Sequence, residues 1–376
     1  MATQETIHEE ALAAGVDPEL SWSEADLPER ERTKHVHRLH PYLGKYVPQL
    51  VETFLRRHFE PGQRVLDPFA GSGTTLVECS TFGCHSVGVD VSAFNVLLAR
   101  TKVRPRDPDA TAADLLSALR RFEAGEGDAD GPLDPYLEEW FAPRALAELV
   151  RFRGLVPDYP ASADLLQVVL CRAARSARLT THFDLDFPRR PQRDPYTCRK
   201  HRRTCQPTDQ AAKFLRRYTV DTARRVAAYQ HVRRPVEAVV HHGDARTLDH
   251  AADLDGIVTS PPYPGRIDYH GQHRYAFALL GLPTRLDEEI GAPARGLSRG
   301  AVADYVDDIA AVLANARRRL RRGAPVVIVI DDSRGLYDEV LARAGLELEH
   351  RLLRHVNRRT GLRSGQFYEQ ILIARA

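Results

Sequence analysis

The amino-acid sequence predicts an α/β fold built on a doubly wound, mostly parallel sheet. Three observations support this. Short apolar runs that end in polar loops alternate with helical patterns between residues 64 and 103. Strand-like runs return from residue 236, separated from the first set by a long, mostly helical interval that includes a Pro- and Arg-rich stretch from Phe187 to Pro207. Residues 348–374 then predict two antiparallel strands joined by a basic turn.

The first half of the sheet is predicted in residues 38–103, after an acidic lead-in of residues 1–37. Apolar residues at Leu50, Phe54 and Leu55 follow the spacing of a helix, which Pro61-Gly62 ends. The elements expected next are a strand from Arg64 to Phe69, a glycine turn, a helix from Leu76 to Phe82, a strand from Ser86 to Val91 and a helix from Ala93 to Val103.

Residues 104–235 are predicted to form a mostly helical insertion, and residues 236–376 the second half of the sheet. Helical patterns in the insertion cover Ala142–Arg151, Asp164–Arg178 and Lys213–Arg225. Strands of the second half are expected at Val236–His241, Gly256–Ser260 and Ala324–Asp331, with Leu348–Asn357 and Glu369–Ala374 as the closing pair.

Composition excludes several classes of protein. Of the 376 residues, 43% are hydrophobic and 28% are charged, which suits a globular chain with a sizeable core. No stretch approaches the roughly 18 apolar residues of a membrane span, and the N-terminus does not have the pattern of a signal peptide. Five unevenly spaced cysteines predict no disulfide framework. We therefore expect a cytoplasmic protein with no membrane partner.

The first candidate site is the turn Asp67-Pro-Phe-Ala-Gly-Ser-Gly-Thr-Thr. Gly71 and Gly73 allow the backbone to turn sharply and to approach a ligand closely. Asp90 ends the next strand, where a carboxylate can accept both hydroxyls of a ribose. Since the lysine of a phosphate-binding loop is missing, a nucleoside cofactor without phosphates fits, and S-adenosylmethionine is the obvious one. The alternative is a turn that serves packing alone.

The second candidate site is Thr259-Ser-Pro-Pro-Tyr, at the end of a predicted strand. Two prolines stiffen this loop. Ser260 and the Pro261 carbonyl can accept both N–H bonds of an exocyclic amine, while Tyr263 can stack on the attached ring. Such acceptors can turn the lone pair of the amine toward a methyl sulfonium, and a base in a duplex must flip out to reach them. The alternative is a Pro-Pro turn without a catalytic role.

The two motifs together resemble those of the DNA methyltransferases that methylate an exocyclic amine, at cytosine-N4 or adenine-N6. The resemblance covers about residues 38–103 and 236–376. It implies a Rossmann-like, S-adenosylmethionine-dependent methyltransferase sheet of seven strands with the last one reversed. In this chain, that sheet would carry the mostly helical insertion.

The resemblance also implies roles for matching residues. Asp90 would bind the ribose of the cofactor and Asp244 its adenine. The other cofactor-binding residues would be Asp67, Phe69, Gly71 and Gly73, with Lys45 in the segment that precedes the glycine loop. The residues that hold the target base would be Ser260, Pro261, Pro262 and Tyr263.

The residue before the two prolines bears on the target base. Adenine-specific members usually carry Asp or Asn there, and serine preceded by threonine resembles the cytosine-N4 members. We therefore favour cytosine-N4, with adenine-N6 as the alternative. The family implies double-stranded DNA as a partner, and a cognate restriction endonuclease as a further one. Two rival interpretations are an RNA amino-methyltransferase and a catalytically silent DNA-binding scaffold.

A basic block in the insertion is the candidate DNA-binding surface. Residues 187–234 carry fourteen Lys and Arg against three acids, although the whole chain has a net charge of only +2. The alternative is a solvated helical face. The residues expected to contact DNA are Arg172, Arg175, Arg178, Arg199, Lys200, Arg202, Arg203, Arg216 and Arg217.

No metal site is predicted. Cys198, His201 and Cys205 offer three ligands within eight residues, whereas structural zinc needs four. Cys171 or His182 could complete the set only by folding back, so we expect a basic loop with incidental thiols. Further on, Tyr269 or His273 could fill the gap left by a flipped base, or could belong to an ordinary polar loop.

Overall fold

The structure is a computed structural model that describes residues 16–376, except residues 24, 43, 45, 129–132, 183, 186–187, 250–252, 266–267 and 358–365. Within this part of the chain, the strands are β1 (Arg64–Asp67), β2 (His85–Asp90), β3 (Tyr196–Cys198), β4 (Arg203–Cys205), β5 (Ala238–His242), β6 (Gly256–Thr259), β7 (Pro325–Ile330), β8 (Glu347–Asn357) and β9 (Gln366–Arg375).

Seven of these strands form one sheet in the order β5-β2-β1-β6-β7-β9-β8. The first five strands in this order pair in parallel, with Leu66 opposite both Val87 and Ile257. Strand β9 lies between β7 and β8 and runs antiparallel to both, with Ile371 opposite Val329 and Leu352. The predicted seven-stranded sheet with a reversed last strand is confirmed.

Helices connect and cover the strands. Their bounds are α1 (Glu29–Arg32), α2 (Pro48–His58), α3 (Thr74–Phe82), α4 (Ala93–Val103), α5 (Pro108–Glu123), α6 (Pro135–Trp140), α7 (Pro143–Leu155), α8 (Ala163–Ala177), α9 (Ala212–Val232), α10 (Tyr269–Gln272), α11 (Arg274–Leu280), α12 (Arg299–Arg317) and α13 (Tyr337–Ala344). The glycine at each end of α3 explains its limits: Gly73 and Gly83 both adopt the left-handed conformation.

Neighbouring residues of the central strands point to opposite faces of the sheet. Val65 and Val258 are buried with the apolar residues of α2 on one face. Leu66 and Ile257 are buried on the other face with α12 and α13. The sheet is therefore covered on both sides, which explains why its strands read as short continuous apolar runs.

The helices of the insertion pack against those of the sheet. Leu119, Leu149 and Leu170 belong to the same buried cluster as Leu76 of α3 and Phe94 of α4. The described part of residues 104–235 thus shares a core with one side of the sheet. A separate two-stranded sheet, β3 with β4, lies between α8 and α9. In the part of the chain described, no helix is long and apolar enough to span a membrane.

Candidate active site

The glycine turn after β1 adopts a backbone that only glycine tolerates well. Gly71 has φ +50° and Gly73 has φ +80°, and the Gly73 N–H donates to the Ala70 carbonyl over 2.7 Å. A Cβ on Gly73 would lie 2.9 Å from the Cβ of Ala99 in α4. Gly73 therefore permits close packing of the two helices that flank the turn.

Asp90, at the end of β2, joins this turn to the next one. Its carboxylate accepts the Gly71 and Ser92 N–H groups, both over 2.8 Å, and the Asn95 amide over 3.1 Å. Burial raises the pKa of Asp90 to about 6, although these same donors act to lower it. Three of roughly four lone-pair positions are in use, so the carboxylate keeps accepting capacity toward a ligand.

An open cavity lies between the glycine turn and the loop after β6. Six of the residues predicted from the sequence line it: Phe69, Gly71, Asp90, Asp244, Ser260 and Pro262. The structure thus brings together residues up to 193 positions apart, counted from Phe69 to Pro262. This is the carboxyl edge of the parallel strands, where open α/β sheets bind their ligands.

Two of the predicted cofactor-binding residues, Asp67 and Gly73, do not line this cavity. Asp67 is 1% exposed and does not line the cavity; its carboxylate accepts the Thr75 hydroxyl over 2.5 Å and the Thr259 hydroxyl over 2.7 Å. Burial raises its pKa to about 6. Asp67 therefore links the glycine turn to β6 through buried hydrogen bonds that lie outside the cavity. Gly73 is also absent from the lining and serves helix packing. Lys45 lies outside the described residues.

Asp244 lines the cavity but does not face it as a free carboxylate. The Arg246 guanidinium donates to both of its oxygens over 2.8–3.0 Å and also pairs with Asp308 over 2.5 Å. Burial raises the pKa of Asp244, but the bonds to Arg246 lower it further, to below its usual value. Asp244 is thus held ionised and in one orientation.

The loop after β6 is held by tyrosines that sequence reasoning missed. The Tyr305 hydroxyl donates to the Pro262 carbonyl over 3.0 Å and contacts the Tyr337 hydroxyl over 2.9 Å. Ser260 and Pro262 face the cavity, whereas Pro261 is buried. The Tyr263 hydroxyl donates to Glu369 over 3.1 Å, and its ring packs on the core beside α12 rather than lining the cavity.

A second missed feature is a buried pair at the cavity wall. His270 Nδ1 lies 2.5 Å from the Glu289 carboxylate, and both residues line the cavity. The histidines around residue 270 were a signal, but Glu289 lies in a segment with no motif. His273 is 1% exposed, and its ring stacks on Tyr42 and lies tilted against Phe94, so it is not available to fill a gap in a duplex.

Two arginines expected on the DNA-binding surface are buried. Arg172 is 7% exposed; it donates to Asp221 over 2.8 Å and lies over the Tyr218 ring. Arg178 is 3% exposed, donates to the Leu185 carbonyl over 2.6 Å and lies over a buried tyrosine. Their placement on that surface is therefore wrong: both fasten α8 to its neighbours. Arg175 is only partly exposed.

The remaining predicted DNA contacts are exposed. Arg199, Lys200, Arg202 and Arg203 surround the turn between β3 and β4, where the described residues supply them with no acidic partner. Arg216 and Arg217 lie on α9, and Arg216 pairs with Glu123 over 2.7 Å. The turn between β3 and β4 is thus a concentrated positive surface.

Comparison with known proteins identifies the family. A family model described as DNA methylase, named for N6 and N4 methylation, matches residues 3–100. The type II methyltransferase M.MjaII of Methanocaldococcus jannaschii is 35% identical over an alignment covering 96% of this chain and 84% of that protein. This chain belongs to the amino-methylating DNA methyltransferase family. Members of this family methylate DNA with S-adenosylmethionine as the cofactor.

Other matches cover less or are more remote. The type II methyltransferase M.MvaI of Kocuria varians is 35% identical over 33% of this DNA methyltransferase and 30% of that protein. Among solved structures, TrmN from Thermus thermophilus matches 89% of this chain and 50% of its own, with 14% identity and a TM-score of 0.35.

S-adenosylmethionine also fits the cavity on chemical grounds. Gly71 presents a backbone without a side chain, Asp90 keeps accepting capacity, and Phe69 contributes an aromatic ring to the same wall.

Proposed function

We propose that this DNA methyltransferase transfers its methyl group to the N4 amine of cytosine, flipped out of double-stranded DNA. The observation that carries the proposal is that Ser260 lines the same cavity as Asp90 and Phe69. A hydroxyl is thereby available next to the expected position of the cofactor. Bound S-adenosylmethionine supplies an electrophilic methyl group on a sulfonium.

The chain's own contribution is to orient the amine. The Ser260 hydroxyl would accept one N–H bond and the Pro261 carbonyl the other. The Pro262 carbonyl already accepts from Tyr305, whereas no described residue donates to the carbonyl of Pro261. Two fixed acceptors hold the N–H bonds so that the lone pair points away from the ring, which makes the amine a nucleophile.

The preference for cytosine rests on the residue type at 260. Serine preceded by threonine resembles the cytosine-N4 members of the family, whereas adenine-specific members usually carry Asp or Asn at this position. Phe69 and Tyr42 add aromatic surface to the cavity. Ring stacking suits any base, so these side chains support base binding without selecting the base.

Double-stranded DNA would contact the basic face of residues 104–235. The exposed arginines and lysine between β3 and β4 support this, because guanidinium groups suit phosphate and guanine edges. The similarity to type II methyltransferases further supports a restriction-modification setting with a cognate endonuclease as partner.

The test uses the purified protein, labelled S-adenosylmethionine and mixed genomic DNA, followed by nucleoside digestion and mass spectrometry. We expect N4-methylcytosine. N6-methyladenine would keep amine methylation and overturn the argument from Ser260. Ser260→Ala should abolish transfer while leaving the cofactor Kd unchanged, and Ser117→Ala, remote from the cavity, should behave as wild type. Label in RNA alone would refute a DNA substrate.

A further inference from the structure

We propose that His182, Cys198, His201 and Cys205 form a structural zinc site that holds the basic turn between β3 and β4. The four residues belong to a small lobe of the insertion, away from the cofactor cavity. Their donor atoms all lie within 4.8 Å of one another. His182 folds back beside the other three residues, which is the condition that the sequence set for a fourth ligand.

The local fold explains how the four donors meet. Cys198 ends β3, and Cys205 ends β4, which returns antiparallel to it. His201 lies in the turn between them, where Arg202 adopts φ +52°. His182 follows α8, and the Tyr196 hydroxyl accepts its backbone N–H over 2.8 Å. The hairpin therefore supplies three ligands, and the end of the preceding segment supplies the fourth.

Three of the six distances between the donor atoms match those of a tetrahedral zinc site. Zn–S bonds of about 2.3 Å and Zn–N bonds of about 2.0–2.1 Å place sulfur and nitrogen about 3.6 Å apart at a tetrahedral angle. The Cys198 sulfur lies 3.6 Å from His182 Nδ1 and 3.6 Å from His201 Nδ1. The Cys205 sulfur lies 3.4 Å from His201 Nδ1.

The surroundings suit a thiolate pair. Cys198 and Cys205 are buried, at 2% and 8% exposed. The Tyr196 hydroxyl also lies 2.8 Å from His182 Nδ1. When His182 Nδ1 binds the metal, the Tyr196 hydroxyl would lose its contact with that nitrogen. It would still accept the hydrogen bond from the backbone N–H of His182.

The hairpin of β3 and β4 is too short to be stable by its own strand pairing. Each strand has three residues, and an isolated hairpin of this size is marginal in water. Four positively charged side chains lie in and next to the turn of this hairpin and repel one another: Arg199, Lys200, Arg202 and Arg203. Zinc bound by two thiolates would fix these side chains in a defined array, as structural zinc does in small domains. This consequence rests on the proposed DNA contact of the basic turn.

The test measures metal directly, on the full chain purified under reducing conditions. We expect one zinc per chain by elemental analysis, and a visible absorption of tetrahedral Co²⁺ with thiolates after replacement of zinc by Co²⁺. Cys205→Ser and His182→Ala should lose most of the metal. The matched controls Cys84→Ser and His231→Ala, outside the lobe, should retain it.

Several outcomes would overturn the proposal. One is a zinc content below about a tenth of an equivalent per chain after incubation with Zn²⁺. Another is a disulfide between Cys198 and Cys205 in the native chain. A third is the same zinc content in the ligand variants as in the control variants. DNA affinity should fall at least tenfold after zinc removal, while the cofactor Kd stays unchanged. Metal content does not depend on methyl transfer, so failure of the zinc site and failure of the proposed function give different results.

Discussion

Acidification should weaken cofactor binding through Asp90. Its pKa is raised to about 6, so its carboxylate is largely ionised at pH 7 and largely protonated at pH 5. Protonation turns one acceptor oxygen into a donor, and the carboxylate already serves Gly71, Ser92 and Asn95. The ribose hydroxyls would then lose a charged acceptor.

The magnitude follows from the ionised fraction. With a pKa of about 6, that fraction falls from about one half at pH 6 to about one tenth at pH 5. The cofactor Kd should therefore rise about fivefold from pH 6 to pH 5, which corresponds to about 1 kcal/mol. The Kd should stop rising once the binding free energy has fallen by the contribution of the hydrogen bonds to the charged carboxylate, which is about 1.5–3 kcal/mol. The plateau would lie about 10–150-fold above the Kd at pH 8.

The assay is calorimetric titration with S-adenosylhomocysteine between pH 5 and pH 8. 5′-Methylthioadenosine, which lacks the amino-acid part, serves as a second probe because it has no group that titrates in this range. Asp90→Asn should bind at the plateau value at every pH. That variant keeps Asp67, whose pKa is also raised to about 6. A slope that survives in Asp90→Asn would therefore assign the effect to another group.

Two results would refute the reasoning. One is a wild-type Kd that stays constant down to pH 5. The other is a loss of binding that coincides with unfolding. The two raised carboxyl pKa values oppose the latter, because the folded state then binds more protons than the unfolded state between about pH 4 and pH 6. Their contribution to the free energy of unfolding increases as the pH falls through this range.

Three further predictions concern single side chains. Gly73→Ala should lower the free energy of unfolding by about 2–4 kcal/mol, because residue 73 has φ +80° and the added Cβ would lie 2.9 Å from α4. A urea midpoint equal to that of the wild type would contradict this. Tyr305→Phe removes the hydroxyl that donates to the Pro262 carbonyl. The kcat in steady-state assays should therefore fall about tenfold, while the cofactor Kd stays unchanged. An unchanged kcat would show that the loop after β6 does not need this hydrogen bond. Arg172→Ala should cost about 1.5–3 kcal/mol of stability by removing one of the three arginines that pair with Asp221, whereas Arg202→Ala should keep wild-type stability and reduce the salt dependence of DNA binding by about one ion. Thermal unfolding and salt titrations check this pair, and a reversed pattern would refute the assignment of buried and surface arginines.

The sheet could be predicted because its signals are local. Strands β1 and β2 each combine an apolar run with a glycine or acid at the end, so their positions and those of α3 and α4 agree with the sequence to within two residues. The reversed β9 came from the resemblance and from the closing pair of apolar segments.

The errors concern which way a side chain points. Asp67 lies in a cofactor motif, but its carboxylate turns to Thr259, 192 residues away. Helical spacing placed Arg172 and Arg178 along one helix without showing that other residues cover that helix. His182 could be joined to Cys198 only after the chain between them had folded back. Each error depends on a contact between segments that sequence periodicity does not relate.

The position of β1 in the middle of the sheet has a consequence for biosynthesis. One of its neighbours, β2, follows within about twenty residues, but the other, β6, begins at Gly256. While the ribosome synthesises the intervening segment, one edge of β1 has no strand to pair with, and unpaired edges recruit other chains. The helices of residues 104–235 emerge in this interval and bury Leu76 and Phe94, but no described strand of that segment joins this edge of β1. A nascent chain that stalls before Gly256 would therefore be more prone to aggregate than one that stalls after Thr259.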